Sequence, residues 1–311
     1  MKTLAFVFPG QGSQSVGMLN AFSGNRTVMD SMGVASDALG QDLVRLAAEG
    51  PTEAINLTVN TQPLMLASAV SFFNAWIAAG GQRPAWAAGH SLGEYAALTA
   101  AGVFTLADAT KAVRFRAEKM QSAVPVGEGG MAAILGLPAA DVVTACADAA
   151  QGQVVEAVNF NAPDQTVIAG HAQAVERACV LVKERGAKRA LPLPVSAPFH
   201  SSLLAPAANA LRDYLTTVTL HTPQMSVINN VDVAVESDPD RIRDALARQA
   251  MRPVRWVELI QKLQAEGVTT IVECGPGKVL TGLVKRIAPE MQLFNIFDQA
   301  SLDQTLNSLK S

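Results

Sequence analysis

The stretch Ala85-Trp86-Ala87-Ala88-Gly89-His90-Ser91-Leu92-Gly93 constrains the fold more than any other, because it reads as a strand, a sharp turn and the start of a helix. Gly89 and Gly93 bracket Ser91 in a G-x-S-x-G pattern, the layout of a nucleophile elbow. In such a turn the serine sits at a strained apex, and glycines let strand and helix approach closely. The helix formers from Glu94 to Ala101, ended by Gly102, predict a helix that begins at Ser91. Its unpaired N–H groups and positive dipole end would then face whatever Ser91 meets.

Around this element the chain alternates short apolar strands with helical patterns as far as Gln121, which favours an α/β core with a mainly parallel sheet. Leu4 to Phe8 reads as a buried strand feeding the loop Pro9-Gly10-Gln11-Gly12-Ser13-Gln14. After a break at Val126 to Gly130 the pattern changes. It runs strand (131–135), helix (139–149), strand (154–160), strand (165–169), helix (172–185), strand (188–194), the βαββαβ order of a ferredoxin-like unit. Residues 127–196 are therefore expected to form a small subdomain inserted into a core made from 1–126 and 197–311, with a substrate cleft between them. The later core is expected to hold a strand at Ser226–Asn230, a helix from about Pro239, and a strand at Thr270–Glu273 ending in Cys274-Gly275-Pro276-Gly277.

With 49% hydrophobic and 16% charged residues in 311, the chain can bury a large core and is not disordered. A net charge of −3 without a long basic run argues against nucleic acid as a partner. No apolar run is long enough to cross a bilayer, and the one that follows Lys2 is cut short by Pro9-Gly10, too soon for a signal peptide. Cys146, Cys179 and Cys274 are odd in number and unpaired in spacing. They fit a reducing cytoplasm and read as small buried hydrophobes.

A serine hydroxyl needs a base, and four histidines are available. His90 adjoins Ser91 on a sharp turn where neighbouring side chains diverge, so a structural or pocket-lining place suits it better. His171 and His221 fall at turns and read as solvated. His200 ends Ser196-Ala197-Pro198-Phe199-His200, where the chain re-enters the core, and is the expected base. Thr105-Leu106-Ala107-Asp108 resembles a capping box, so a helix should start near Leu106. On it Leu106, Ala109, Val113, Ala117 and Met120 form an apolar stripe with Arg116 in its middle, while Arg114 points away among Lys111 and Glu118. An inward arginine must be paired. It is one half of an internal salt bridge to an Asp or Glu, a snorkelling side chain, or a fork for a substrate carboxylate. The loops at Gly10 and Gly275 fit no phosphate-binding pattern, since Gly10-x-Gly12-x-x-Ser15 lacks the third glycine and Gly275-Pro276-Gly277-Lys278 lacks Walker spacing. Neither a metal nor a resident cofactor is expected.

Pro9-Gly10-Gln11-Gly12-Ser13-Gln14, Gly89-His90-Ser91-Leu92-Gly93, Arg116, Pro198-Phe199-His200 and Glu273-Cys274-Gly275-Pro276-Gly277 occur in one order. Together they resemble the malonyl-CoA:acyl carrier protein transacylases of bacterial fatty acid synthesis, over Leu4 to about Ile287. The resemblance implies an α/β-hydrolase-like core with an inserted ferredoxin-like subdomain. It makes Ser91 the nucleophile, His200 the base and Arg116 the partner of the malonyl carboxylate. It also gives an oxyanion hole from the N–H groups of Gln11 and Leu92, a base steered by the backbone carbonyl of Gln249, and an aromatic Phe199 that leaves little room for a methyl branch. The implied reaction is ping-pong acyl transfer from malonyl-CoA to the phosphopantetheine thiol of acyl carrier protein, by a cytoplasmic monomer. Rival readings are a serine hydrolase, a non-catalytic carrier-binding subunit, and the malonyltransferase of polyketide synthesis or malonate decarboxylation.

Overall fold

In a computed structural model, residues 3–195 and 197–309 are described. Lys2, Ser196 and the subdomain boundary drawn at Ser196 lie outside the described residues.

Five strands, β1 (Thr3–Phe8), β2 (Trp86–Gly89), β7 (Ser226–Ile228), β8 (Val268–Cys274) and β9 (Gln292–Ile296), form a sheet in the order β7-β2-β1-β8-β9. Every pairing in it is parallel. Its central strand shows why both faces must be covered. Leu4, Phe6 and Phe8 point into one apolar cluster with Phe22, Phe72, Phe73 and Trp76, whereas Ala5 and Val7 point into another with Trp256, Ile260 and Ile271. A strand apolar on both sides belongs in the middle of a three-layer α/β core. The long helix Thr58–Ala78 lies in the first layer with 16 buried residues, Gln62 among them. Among the described residues no helix is long and apolar enough to cross a membrane.

The other four strands, β3 (Gly129–Leu135), β4 (Val155–Ala162), β5 (Gln165–His171) and β6 (Arg189–Pro192), form a separate antiparallel sheet in the order β4-β5-β3-β6. With the helices Ala139–Ala149 and Ala172–Glu184 they complete the βαββαβ order. Ala132, Ile134 and Ile168 turn toward those two helices, while Met131, Val167 and Ala169 turn toward the core and meet Met120, Phe199, Leu204 and Leu211. Period-two alternation therefore gives this sheet two apolar faces, one of them the seam with the core. Edge strand β4 is also bonded to the core: Val254 donates to the Val158 carbonyl at 2.8 Å and its own carbonyl accepts from Phe160 at 3.0 Å. Glu156 accepts from the backbone N–H and hydroxyl of Ser202, both at 2.7 Å, and so pins the segment just past His200.

Some local expectations change. His171 is half-buried, its Nδ1 accepting from the Val154 N–H at 2.9 Å, because it sits where β5 turns into a helix. Cys146 and Cys274 are buried, but Cys179 is only partly so. Arg114, on the side away from Arg116, donates to Gln41 and Asn60. His221 is exposed, as read from its turn.

Candidate active site

The loops that carry Gln11, Ser91 and Asn230 leave the carboxyl ends of the neighbouring parallel strands β1, β2 and β7, where open α/β sheets place their ligands, while His200 follows β6 of the antiparallel sheet. β2 ends at Gly89, and Ser91 follows with φ +54°, a left-handed conformation that costs a side-chain-bearing residue energy and lifts its Oγ clear of the backbone. A Cβ on Gly89 would lie 1.9 Å from the Gly93 carbonyl, and one on Gly93 would lie 2.1 Å from the Phe8 oxygen. The pattern is thus a packing necessity, with strand β1, the turn and the helix in backbone contact. Gly93→Ala is expected to destabilise the fold by about 3 kcal/mol or more, the cost of moving packed backbone. Thermal melting checks this, and an unchanged Tm would refute the close approach.

The elbow helix spans Gly93–Ala100, not the predicted start at Ser91. The left-handed serine cannot belong to a right-handed helix, and the bond from Gly93 N–H to the His90 carbonyl closes a turn first. Gly102 ends this segment at φ +80°.

Ser91 Oγ lies 2.7 Å from His200 Nε2 and 3.0 Å from an Arg116 amino group. Arginine only donates, so Oγ accepts from Arg116 and its own hydrogen points at His200. The other imidazole nitrogen, Nδ1, lies 2.8 Å from the Gln249 carbonyl, which only accepts. Nδ1 therefore carries the ring proton and Nε2 is free to receive another. Burial, with the Arg116 charge nearby, lowers the His200 pKa to about 3, so the ring is neutral at pH 7. His200 has φ +67°, a second left-handed residue facing the first.

Thr105 caps the helix Leu106–Ser122, accepting from the Asp108 N–H at 3.1 Å while its hydroxyl donates to the Asp108 carboxylate at 2.7 Å. This fixes the helical phase, and Arg116 is 1% exposed. Its guanidinium donates to Gln62 at 2.8 Å, Ser91 Oγ at 3.0 Å and Gln249 Oε1 at 2.9 Å, and lies 5.6 Å from the Tyr95 ring centroid. None of these hydrogen bonds goes to a carboxylate, and among the described residues Nε has no partner. An unmatched buried cation with a spare donor is the arrangement a substrate carboxylate would complete.

Several site residues escaped sequence reasoning. Glu94, 2% exposed, accepts from the Gln249 amide at 2.8 Å and the Asn230 N–H at 3.0 Å. The Gln249 amide also donates to the Ser91 carbonyl at 2.9 Å, so its side chain matters as well as its backbone. Asn230, at the end of β7, accepts from the Ser91 N–H and donates to the Gly89 carbonyl, which clamps the elbow from below. A signal was readable for two of them: Glu94 is the one charged residue in the helix after the elbow, and Asn230 lies just past a parallel strand, whereas Gln62 follows Thr58, Asn60 and Thr61 and carries no such mark. His90 takes a structural place, its Nε2 2.7 Å from Asn161 Oδ1 on β4.

Gln11 and Leu92 flank the same turn. Gly10 abuts the elbow, since a Cβ there would meet the His90 carbonyl at 2.7 Å. Neither the Gln11 nor the Leu92 N–H makes a hydrogen bond among the described residues, so both are uncommitted. Phe199 is buried in the seam with Met120 and Val158. Glu273 stands behind the adjoining loop, its carboxylate accepting from the Leu280 and Thr281 N–H groups and the Thr281 hydroxyl to cap the helix Val279–Ile287. The Glu273-Cys274-Gly275-Pro276-Gly277 motif is therefore structural support, with Gly275 packed under Pro9.

The sequence profile of the acyl transferase domain family matches residues 5–297. The malonyl CoA-acyl carrier protein transacylase of Salmonella typhimurium is 50% identical over 98% of this chain and 99% of its own length. Among solved structures, the acyl-carrier-protein S-malonyltransferase of Burkholderia pseudomallei is 60% identical, covers 98% of this chain and 99% of its own, and superposes with a TM-score of 0.97. A malonyl-transacylase solved in complex with a type II PKS acyl-carrier protein is 46% identical, covers 98% and 99%, and also superposes at 0.97. The Ser-His-Arg cluster and these likenesses over nearly the whole chain agree: the protein is an acyltransferase and belongs to the acyl transferase domain family, alongside the malonyl CoA-acyl carrier protein transacylases.

Proposed function

We propose that this protein transfers the malonyl group of malonyl-CoA to the phosphopantetheine thiol of acyl carrier protein through an ester on Ser91. The observation that carries the proposal is the Ser91 hydroxyl held between a neutral imidazole and a buried guanidinium that, among the described residues, hydrogen-bonds to no carboxylate. The malonyl carboxylate docks on Arg116 and brings the thioester carbonyl to Oγ. His200 takes the serine proton as Oγ attacks, and the Gln249 carbonyl stabilises the imidazolium that results. The Gln11 and Leu92 N–H groups receive the developing oxyanion. Coenzyme A leaves with the proton from His200, and the carrier's thiol then attacks the ester by the same steps in reverse order.

Arg116 has a second effect. Its charge depresses the basicity of His200, so a bound malonyl carboxylate that neutralises it makes His200 a stronger base when the right substrate is present. Phe199 supplies the apolar wall against a branched acyl group. We place the reaction in cytoplasmic fatty acid synthesis, carried out by a monomer without cofactor.

Mixing the enzyme with malonyl-CoA is expected to give a stoichiometric burst of coenzyme A and a malonyl adduct on the peptide containing Ser91, discharged by a carrier thiol faster than by water. An adduct on Cys274 or another serine, or discharge to water at the same rate, would end the proposal.

A further inference from the structure

A buried cation is costly unless something balances it, yet among the described residues Arg116 hydrogen-bonds to Gln62, Ser91 and Gln249 and lies over a tyrosine ring, with no carboxylate in contact by hydrogen bond. The carboxylate nearest in the network is Glu94, one side chain away. Gln249 lies between them, with its oxygen toward Arg116 and its amide nitrogen toward Glu94. Because Glu94 Oε2 accepts from both Gln249 and Asn230, the amide cannot turn round without losing both its partners. The charged and titratable groups facing Glu94 are few. They are Arg116, Tyr95 and Asp232, the last already paired with Arg248 at 2.7 Å. Glu236 joins them across a cavity of about 10 Å³, enough for one water, that Glu94 and Asn229 also line. The Asn229 amide nitrogen is buried with no partner among the described residues.

We propose that Glu94 is the counter-charge of Arg116 in the resting enzyme and gives up that place when a malonyl carboxylate binds, taking up one proton as it does so. The inference rests on the proposed malonyl transfer. Before binding, one guanidinium faces one carboxylate. After binding it would face two, and the buried Glu94 removes the excess by accepting a proton from the solvent side by way of the cavity, which has room for one water. When the malonyl group leaves on the carrier thiol, the proton returns by the same way and Glu94 again balances Arg116. Burial already pushes the Glu94 pKa up to about 7, against the hydrogen bonds from Gln249 and Asn230 and the Arg116 charge, so a second negative charge nearby tips it to the neutral form. Glu94 is thus a positioning residue whose charge state is linked to the substrate.

The test compares malonyl-CoA with acetyl-CoA, which has no free carboxylate and cancels the contribution of the coenzyme. His200, neutral down to about 3, contributes no change over pH 6 to 9. The malonyl-to-acetyl ratio of acylation kcat/KM is expected to fall above pH 7, approaching tenfold per pH unit for one linked proton. In Glu94→Gln, which keeps an acceptor oxygen but no titratable charge, the ratio should be flat. Proton uptake on acylation, read with an indicator dye in weak buffer at pH 8, should be a substantial fraction of one per Ser91 in the parent and nil in the variant. A parent ratio that changes less than about twofold between pH 7 and 9 overturns the proposal, as does a slope that persists in Glu94→Gln. Should that variant fail to fold, the parent's ratio and proton uptake still decide. A missing malonyl adduct at every pH would instead defeat the underlying reaction.

Discussion

Ser91→Ala enzyme mixed with malonyl-CoA stays unmodified, releases no burst of coenzyme A and transfers no malonyl group to a carrier thiol. Losing the nucleophile of a serine-histidine site typically costs about 10⁶ in rate. The fold should survive. Alanine has a Cβ like serine and meets the same left-handed strain at φ +54°, and the clamps from Asn230 and Gln249 hold the backbone, not the hydroxyl. Intact-mass spectrometry beside a melting curve separates the two effects, and a malonylated Ser91→Ala protein would show that the nucleophile lies elsewhere.

Arg116→Ala has the second largest effect, and it falls unequally on two substrates. Removing one partner of a desolvated ion pair costs about 3–5 kcal/mol. At about 1.4 kcal/mol per decade, malonyl-CoA should lose 10²–10⁴ in kcat/KM. Acetyl-CoA has no carboxylate to lose, so its slow rate should hold or rise as His200 is freed from a neighbouring charge. A fall in Tm alone does not discriminate, because the variant leaves the Gln62 and Gln249 oxygens unpaired at about 1 kcal/mol or more each whichever role Arg116 plays. Equal losses for both substrates would mean that the guanidinium only braces those two glutamines.

The sequence carried most of the architecture because its strongest signals are local. The inserted unit could be drawn nearly to its element ends, since an abrupt change of pattern after Val126 and tight apolar periodicity mark each strand and helix. Ser91 and Arg116 could be read in the same way, one from a turn that tolerates only glycine at its sides and the other from the phase of a capped helix. His200 needed more, because its link to Ser91 spans 109 residues and nothing local aims it. Glu94, Asn230 and Gln62 stayed hidden for a related reason. Their meaning lies in hydrogen bonds to segments 54 to 155 residues away, and periodicity says only which way a side chain points, not what waits there. The misplaced helix start came from treating the elbow as a continuous helix when its first turn is spent on reversing the chain.

The inserted sheet is contiguous in sequence, which makes it look like a cassette that could be traded between relatives to alter acyl preference. Its bonds tell against that use. Asn161 holds the elbow through His90, β4 exchanges hydrogen bonds with Val254, and Glu156 fastens the chain beside His200. A graft cut at the visible ends of the insertion would sever the nucleophile and the base from their supports at once, so a chimaera that works must inherit those contacts from both sides of the seam.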